Sequence, residues 1–130
     1  LASVAVVALS DRSPRAAASD DLGVSFRRVV APFFDRHCVG CHGPDRAKAG
    51  LTLHTLTAEV AAGPGPKRWD KILDVLQHRA MPPESSEQPS PDDRRAVIEW
   101  VRAALKAEAG RVRGETPPQL RRMTNVEYQN

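Results

Sequence analysis

The chain has 130 residues, of which 19 are Lys or Arg and 16 are Asp or Glu, so its formal net charge is +3. The cations are spread along the sequence without a basic stripe interleaved with aromatic residues, which argues against nucleic-acid binding. Aromatic residues make up only 5%. The roughly 90 residues between the two tails would therefore form a thin core unless a bound group completed it.

The N-terminal segment has the pattern of an export signal. Residues 1–9 are apolar apart from Ser3, and Ala16, Ala17 and Ala18 offer a small-residue cleavage site. We therefore predict that residues 1–18 are the end of a signal peptide cleaved near Ala18, and that the protein is periplasmic or otherwise exported. The alternative is the end of an uncleaved membrane anchor, since a spanning helix needs about 20 apolar residues.

The first predicted helix precedes the two cysteines. Its apolar residues repeat at helical spacing: Phe26, Val29, Val30, Phe33 and Phe34. Ser25 is a candidate N-cap, and Pro32 should kink or restart the helix because proline has no backbone N–H. His37 should lie at the helix end, where a partly charged imidazole is favoured by the dipole. This helix would lead directly into Cys38.

Residues 38–42 have the sequence C-x-x-C-H. Residues three and four apart share a face of a helix, so Cys38 and Cys41 can each form a thioether with one porphyrin while His42 binds its iron. The other imidazole N–H of His42 should donate to a backbone carbonyl. A zinc site needs four ligands and a thioredoxin-like pair needs a strand and helix context, and neither pattern is visible around these two cysteines. The motif therefore favours haem c.

The other histidines are weaker candidates for the second axial position. An apolar stripe runs through the helix predicted for residues 69–80: Trp69, Ile72, Leu73 and Leu76. His78 falls about 180° from Trp69 on this helix, at about 100° per residue, so it should face solvent. Alternation along residues 51–55 puts His54 opposite the leucines. His37 is too close to the attachment site to reach across the ring.

Met81 is the candidate for the second axial ligand. Methionine and histidine form the axial pair of cytochromes c, and enough chain separates Met81 from His42 to wrap the ring. Pro82 and Pro83 remove two N–H donors and fix φ, so this segment should be an extended, stiff strap. The alternative is that Met81 only fills the core.

The last predicted helix has the best-marked start in the sequence. Ser90 is its N-cap, Pro91 takes the first position, and Asp92 and Asp93 lie in the first turn, where acids suit the dipole. Gly110 should end the helix.

One face of this last helix is apolar and should pack on the first helix: Val97, Ile98, Trp100, Val101, Ala104 and Leu105. Trp100 is therefore predicted to be a core residue. For Trp69 two interpretations stay open, because its indole N–H could donate to a haem propionate or be buried with another partner.

Taken together, these motifs resemble the cytochrome c domain of planctomycete-type multidomain secreted proteins. The resemblance covers about residues 24–109 and includes the K-A-G-L-T-L segment at 48–53. Residues 120–130 look like the opening of the uncharacterised domain that follows in those proteins. The resemblance implies thioether attachment at Cys38 and Cys41, proximal ligation by His42 and distal ligation by Met81.

We therefore predict a small all-α cytochrome c-like domain around one covalent haem c. The expected organisation is a leader at 1–18, the cytochrome domain at 19–110, a linker at 111–119 and the next domain from 120. The predicted function is electron transfer, not catalysis, with a redox partner protein or a downstream domain of the same chain. The alternatives are a haem enzyme or small-ligand-binding domain with a labile sixth ligand, and a metal-binding interaction module without haem.

Overall fold

The computed structural model describes residues 14–62 and 65–115. Most of the predicted leader and all of residues 120–130 lie outside the described residues. The described part of the chain is all-α, as predicted, with no β-strand and only an isolated bridge between His42 and Ala47. Its elements are α1 (Pro14–Ser25), a π turn (Phe26–Val30), α2 (Ala31–His37), α3 (Val39–His42), a 3₁₀ turn (Lys48–Gly50), α4 (Pro66–Gln77) and α5 (Pro91–Glu115). Over these ranges, no helix has the length and apolarity that a membrane crossing needs.

The first helix begins earlier than predicted. α1 starts at Pro14, and Ser25 has helical dihedral angles, with φ −68° and ψ −32°. Its hydroxyl donates to the carbonyls of Asp21 (2.7 Å) and Leu22 (3.2 Å), one turn back. Serine makes such bonds within a helix, not at its start. The prediction of Ser25 as an N-cap is therefore wrong, because the residues before it are already helical.

Pro32 restarts the helix, as predicted. The N–H of Ala31 donates to the carbonyl of Phe26, five residues back, and Pro32 then lies in the first turn of α2. The wider π turn suits proline, which cannot make the regular bond to the residue four back. α2 ends at His37, as expected. Four of the predicted core residues of this segment are buried: Phe26, Val30, Phe33 and Phe34.

α4 carries the predicted apolar stripe. Trp69, Ile72 and Leu76 are buried, and Leu73 packs against them while partly exposed. After the helix, the N–H of Ala80 donates to the carbonyl of Val75 (2.9 Å) and that of Arg79 to Leu76 (3.3 Å). These two bonds define a Schellman motif. The chain therefore leaves α4 by a defined turn directly before Met81.

The residue in the left-handed position of this Schellman motif is Arg79, with φ 55°. Glycine usually takes that position, because a Cβ is disfavoured there. We expect Arg79→Gly to raise the free energy of unfolding by about 1 kcal/mol. Lys71→Gly, inside α4, should instead lower it by about 0.8 kcal/mol. Urea unfolding of the two variants measures both changes, and a destabilised Arg79→Gly would contradict the expectation.

α5 starts as predicted but ends later. The N–H of Asp93 donates to Oγ of Ser90 (3.0 Å), which confirms the N-cap. The helix then continues through Gly110 to Glu115, so the prediction that Gly110 ends it is wrong. Arg111 donates to the Glu108 carboxylate at 2.6 and 2.9 Å, and this pair spans the glycine. Such a bridge helps to keep one turn helical, and residues 111–115, at the start of the predicted linker, are helical.

Four aromatic rings form the centre of the core. Trp69 is 1% exposed, stacks on Phe34 with 6.1 Å between ring centroids, and lies 5.3 Å from Trp100. Phe26 lies 5.3 Å from Trp100 and meets Trp69 edge-on at 6.3 Å. Nε1 of Trp100 donates to two oxygen atoms of α1 residues, each at 3.1 Å. Trp100 is therefore a core residue, and α5 packs on the first helix, as predicted.

Candidate functional site

Cys38, Cys41 and His42 lie on one helical turn, as the spacing of the motif predicts. The N–H of Cys41 donates to the carbonyl of Cys38 (3.1 Å), and that of His42 donates to the same carbonyl (2.9 Å). The N–H of Cys38 in turn donates to the carbonyl of Phe34 in α2 (2.8 Å). The motif is therefore held at the end of a helix that is anchored in the core by the buried Phe33 and Phe34.

The chain after His42 is also fixed. The carbonyl of His42 accepts a hydrogen bond from the N–H of Leu53 (2.7 Å). At the buried Gly43, a Cβ would lie 2.5 Å from the carbonyl oxygen of Val39, so only glycine fits. At Gly40, a Cβ would meet nothing within 4 Å. The turn therefore has no room for a side chain at Gly43, directly after the histidine. It is open at Gly40, where a flat group has room to approach.

One nitrogen of the His42 imidazole has no hydrogen-bond partner. This atom, Nδ1, is buried, and the predicted bond to a backbone carbonyl is not present. A buried polar atom without a partner costs free energy, whereas metal ligation uses an imidazole nitrogen productively. Nδ1 of His37 is also buried and unpartnered, but its ring packs on Phe33 at 5.2 Å. The donor set at His42 fits haem iron.

Both cysteines are free and half-buried. Burial raises the pKa of the Cys38 thiol to about 12, and the positive charge of Arg94 opposes this shift to a smaller extent. In the described part of the chain, no three His, Cys, Asp or Glu side chains come close enough to hold a metal ion.

The raised pKa predicts slow alkylation of Cys38 in the folded, haem-free chain. At pH 8, a thiol with a pKa of about 12 is ionised in roughly one molecule in ten thousand, against about one in four for an ordinary cysteine. In a Cys41→Ser background we expect iodoacetamide to react at least about a hundredfold more slowly than in urea, because the thiolate is the nucleophile. The folded rate should rise with pH beyond pH 9.

Circular dichroism establishes that the Cys41→Ser chain is helical before alkylation begins. The same chain in urea supplies the reference rate, since unfolding removes the burial of Cys38. Equal rates in the folded and unfolded chains would contradict the expectation.

The rival histidines face solvent, as predicted. His54 is exposed, and the side chain of His78 is 75% exposed beside the Asp74 carboxylate, at 3.1 Å. Met81 lies on the loop after α4. Its side chain is outside the buried core and the residue is 40% exposed, so the alternative of a core-filling methionine is wrong.

Two residues near Met81 were not found from the sequence. Arg94 is only 8% exposed, and its Nη1 donates to the carbonyl of Met81 (2.7 Å). Its Nη2 donates to Oε1 of Gln88 (3.1 Å). The apolar stripe of α5 gives a signal for Arg94, since it lies three residues before the buried Val97 and so on the same face. The sequence gives no comparable signal for Gln88.

The described surface has two open grooves, of about 550 and 1150 Å³, and the smaller one is lined in part by Gln88 and Arg94. Neither is lined by Cys38, Cys41, His42 or Met81. The site is therefore recognised by the chemistry of its donors and not by the shape of a groove.

An all-α domain that presents C-x-x-C-H at the end of a helix packed on the core is a cytochrome c domain, which binds haem c and transfers electrons. The chain belongs to the family described as cytochrome c oxidase, cbb3-type, subunit III, whose model matches residues 28–101, more than half of the sequence. The match includes the motif, α4 and the Met81 loop. Neither the curated proteins nor the solved structures gave a match. As an electron-transfer module the domain is not itself an enzyme, so the alternative of a haem enzyme is not supported.

Proposed function

We propose that the domain holds one haem c through thioethers at Cys38 and Cys41, with His42 and Met81 as axial ligands. The observation that carries this proposal is the single turn with two free cysteines and a histidine whose Nδ1 is buried and unpartnered. The sequence contains only these two cysteines, which is the number that one haem c uses. When bound, haem supplies one-electron transfer between its ferric and ferrous states.

His42 and Met81 have distinct tasks in this proposal. The main chain of His42 is held by its place on the turn and by the bond from the N–H of Leu53 to its carbonyl, so the ring starts from a fixed position. Met81 presents a soft thioether from a loop whose main chain is bonded to the end of α4. A thioether ligand favours the ferrous state and so raises the potential. Both side chains stay in place while the electron moves, so no substrate has to reach the iron.

We further propose that the domain is part of a larger exported protein. The resemblance of residues 120–130 to the opening of a following domain supports this, as does the apolar run at 1–9. The cytochrome domain then begins near residue 19. Residues 111–119 then form the linker to the next domain, and the end of α5 at Glu115 makes the first part of this linker helical. The electron partner is that domain or a separate redox protein.

The test is expression of the full chain in an exported form together with haem c maturation. We expect haem that resists acid-acetone extraction and a reduced-minus-oxidised spectrum of a low-spin, six-coordinate species. The Cys38→Ala, Cys41→Ala double variant is the matched control and should release its haem. Extractable haem in the unaltered chain would overturn the covalent attachment.

A further inference from the structure

The guanidinium of Arg94 joins three parts of the structure. It donates to the carbonyl of Met81 (2.7 Å), to the carbonyl of Leu76 in the last turn of α4 (3.3 Å), and to the Gln88 side chain (3.1 Å). Arg94 is a charged residue that is only 8% exposed, yet all three oxygen atoms that accept its hydrogen bonds are uncharged. A buried arginine that bonds only to neutral oxygens gains its stability from those bonds, so they are costly to break.

Gln88 extends the same network along the loop. Its Nε2 donates to the carbonyls of Pro82 (3.2 Å) and Pro83 (2.9 Å), while its Oε1 accepts from Arg94. Three consecutive carbonyls, those of Met81, Pro82 and Pro83, are therefore held by two side chains. The prolines have no N–H with which to anchor themselves. The loop backbone makes only a few bonds of its own, such as that from the N–H of Ser86 to the carbonyl of Pro83 (2.9 Å), so the two side chains add to what holds it.

We propose that Arg94 and Gln88 are positioning residues that fix the loop of Met81 and so resist release of its thioether from the iron. The inference rests on the proposed ligation by Met81. Arg94 connects the carbonyl of Met81 to the end of α4 and to the start of α5, so the main chain that carries the sulfur cannot move away unless these bonds break. Loops that open locally do so at a small fraction of the cost of global unfolding. The network raises the cost of this particular opening.

The test measures ligand release separately from unfolding. The variants are Arg94→Leu, Arg94→Lys and Gln88→Leu in the haem-loaded full chain, with Arg102→Leu as a control that removes a charge from an exposed position of α5. The temperature at which the ferric sulfur-to-iron absorption band disappears is compared with the midpoint of helix loss by circular dichroism. The rate at which carbon monoxide binds the ferrous protein reports the open population of the loop.

We expect Arg94→Leu to lose the band well before the helices melt, and to bind carbon monoxide about tenfold faster, which corresponds to about 1.4 kcal/mol. Gln88→Leu should show the same separation to a smaller degree. Arg94→Lys keeps a cation and some donors, so it should recover part of the difference. In Arg102→Leu, loss of the absorption band and loss of the helices should occur at the same temperature.

The remaining outcomes separate a failure of the Met81 ligation from a failure of the positioning role. If Met81→Ala keeps the band, the proposed ligation by Met81 fails and the inference fails with it. If Met81→Ala loses the band while band loss and helix loss shift together in both Arg94→Leu and Gln88→Leu, the ligation stands and the positioning role is refuted. If Arg94→Leu does not fold, Gln88→Leu decides, since its side chain lies in an exposed loop.

Discussion

Met81→Ala is expected to keep its covalent haem while losing the ferric sulfur-to-iron absorption band. The thioether is a soft ligand that stabilises the ferrous state, so its removal should lower the reduction potential. We expect a fall on the order of 0.1 V, a fraction of the about 0.8 V range that axial ligands cover. Visible spectroscopy and a spectroelectrochemical titration measure the two changes. The helices should remain, because the residue is 40% exposed and outside the core.

Met123→Ala is the matched control, since it makes the same substitution at the other methionine of the chain. It should keep both the band and the potential. An unchanged spectrum in Met81→Ala would exclude Met81 as the ligand, and the exposed His54 and His78 would then be the next residues to replace.

Trp69→Ala is expected to have the largest effect on stability. The ring is 1% exposed and lies against three other aromatic residues: Phe26, Phe34 and Trp100. Truncation of such a residue leaves a cavity at the junction of α4, α5 and the π turn. We expect the free energy of unfolding to fall by about 3–5 kcal/mol. Denaturant unfolding of the haem-loaded protein measures this loss.

Trp69→Phe separates the two interpretations of this tryptophan. A phenylalanine keeps an aromatic ring in the cluster but removes the indole N–H. If Trp69 acts only by packing, most of the stability and the whole of the reduction potential should survive in this variant. A shift in potential with little loss of stability would instead support an N–H bond to a haem propionate.

Membership of the cytochrome c family gives the position of Arg94 a functional context. The proposed ligation by Met81 needs this residue to stand outside the helices, on the loop between α4 and α5. Such a loop is mobile unless something holds it. Here a buried arginine and an exposed glutamine provide that restraint, and neither belongs to the motif by which the cofactor is recognised.

Several features that depend on residues close together in the chain were predicted from the sequence. The three ligand candidates of residues 38–42 lie on one turn because their spacing fits a helix, and no distant contact is needed for that. Ser90 caps α5 because a serine oxygen can reach the N–H three residues later. The stripe of α4 is buried because its period matches the helix. The solvent-facing positions of His54 and His78 follow from the same periodicities.

Tertiary structure decided the rest. Ser25 is a residue type that often starts a helix, and Gly110 is one that often ends a helix. In the structure the first helix runs through Ser25 and α5 runs through Gly110, because neighbouring residues supply the backbone and side-chain bonds. The position of Arg94 next to Met81 arises only when α5 packs on α4, across thirteen residues of chain. Sequence by itself determined that Cys38, Cys41 and His42 share one turn, since their spacing is local. What holds the Met81 loop was decided only in the folded chain. The hydrogen bonds of Arg94 and Gln88 join segments whose contact no periodicity of the sequence predicts.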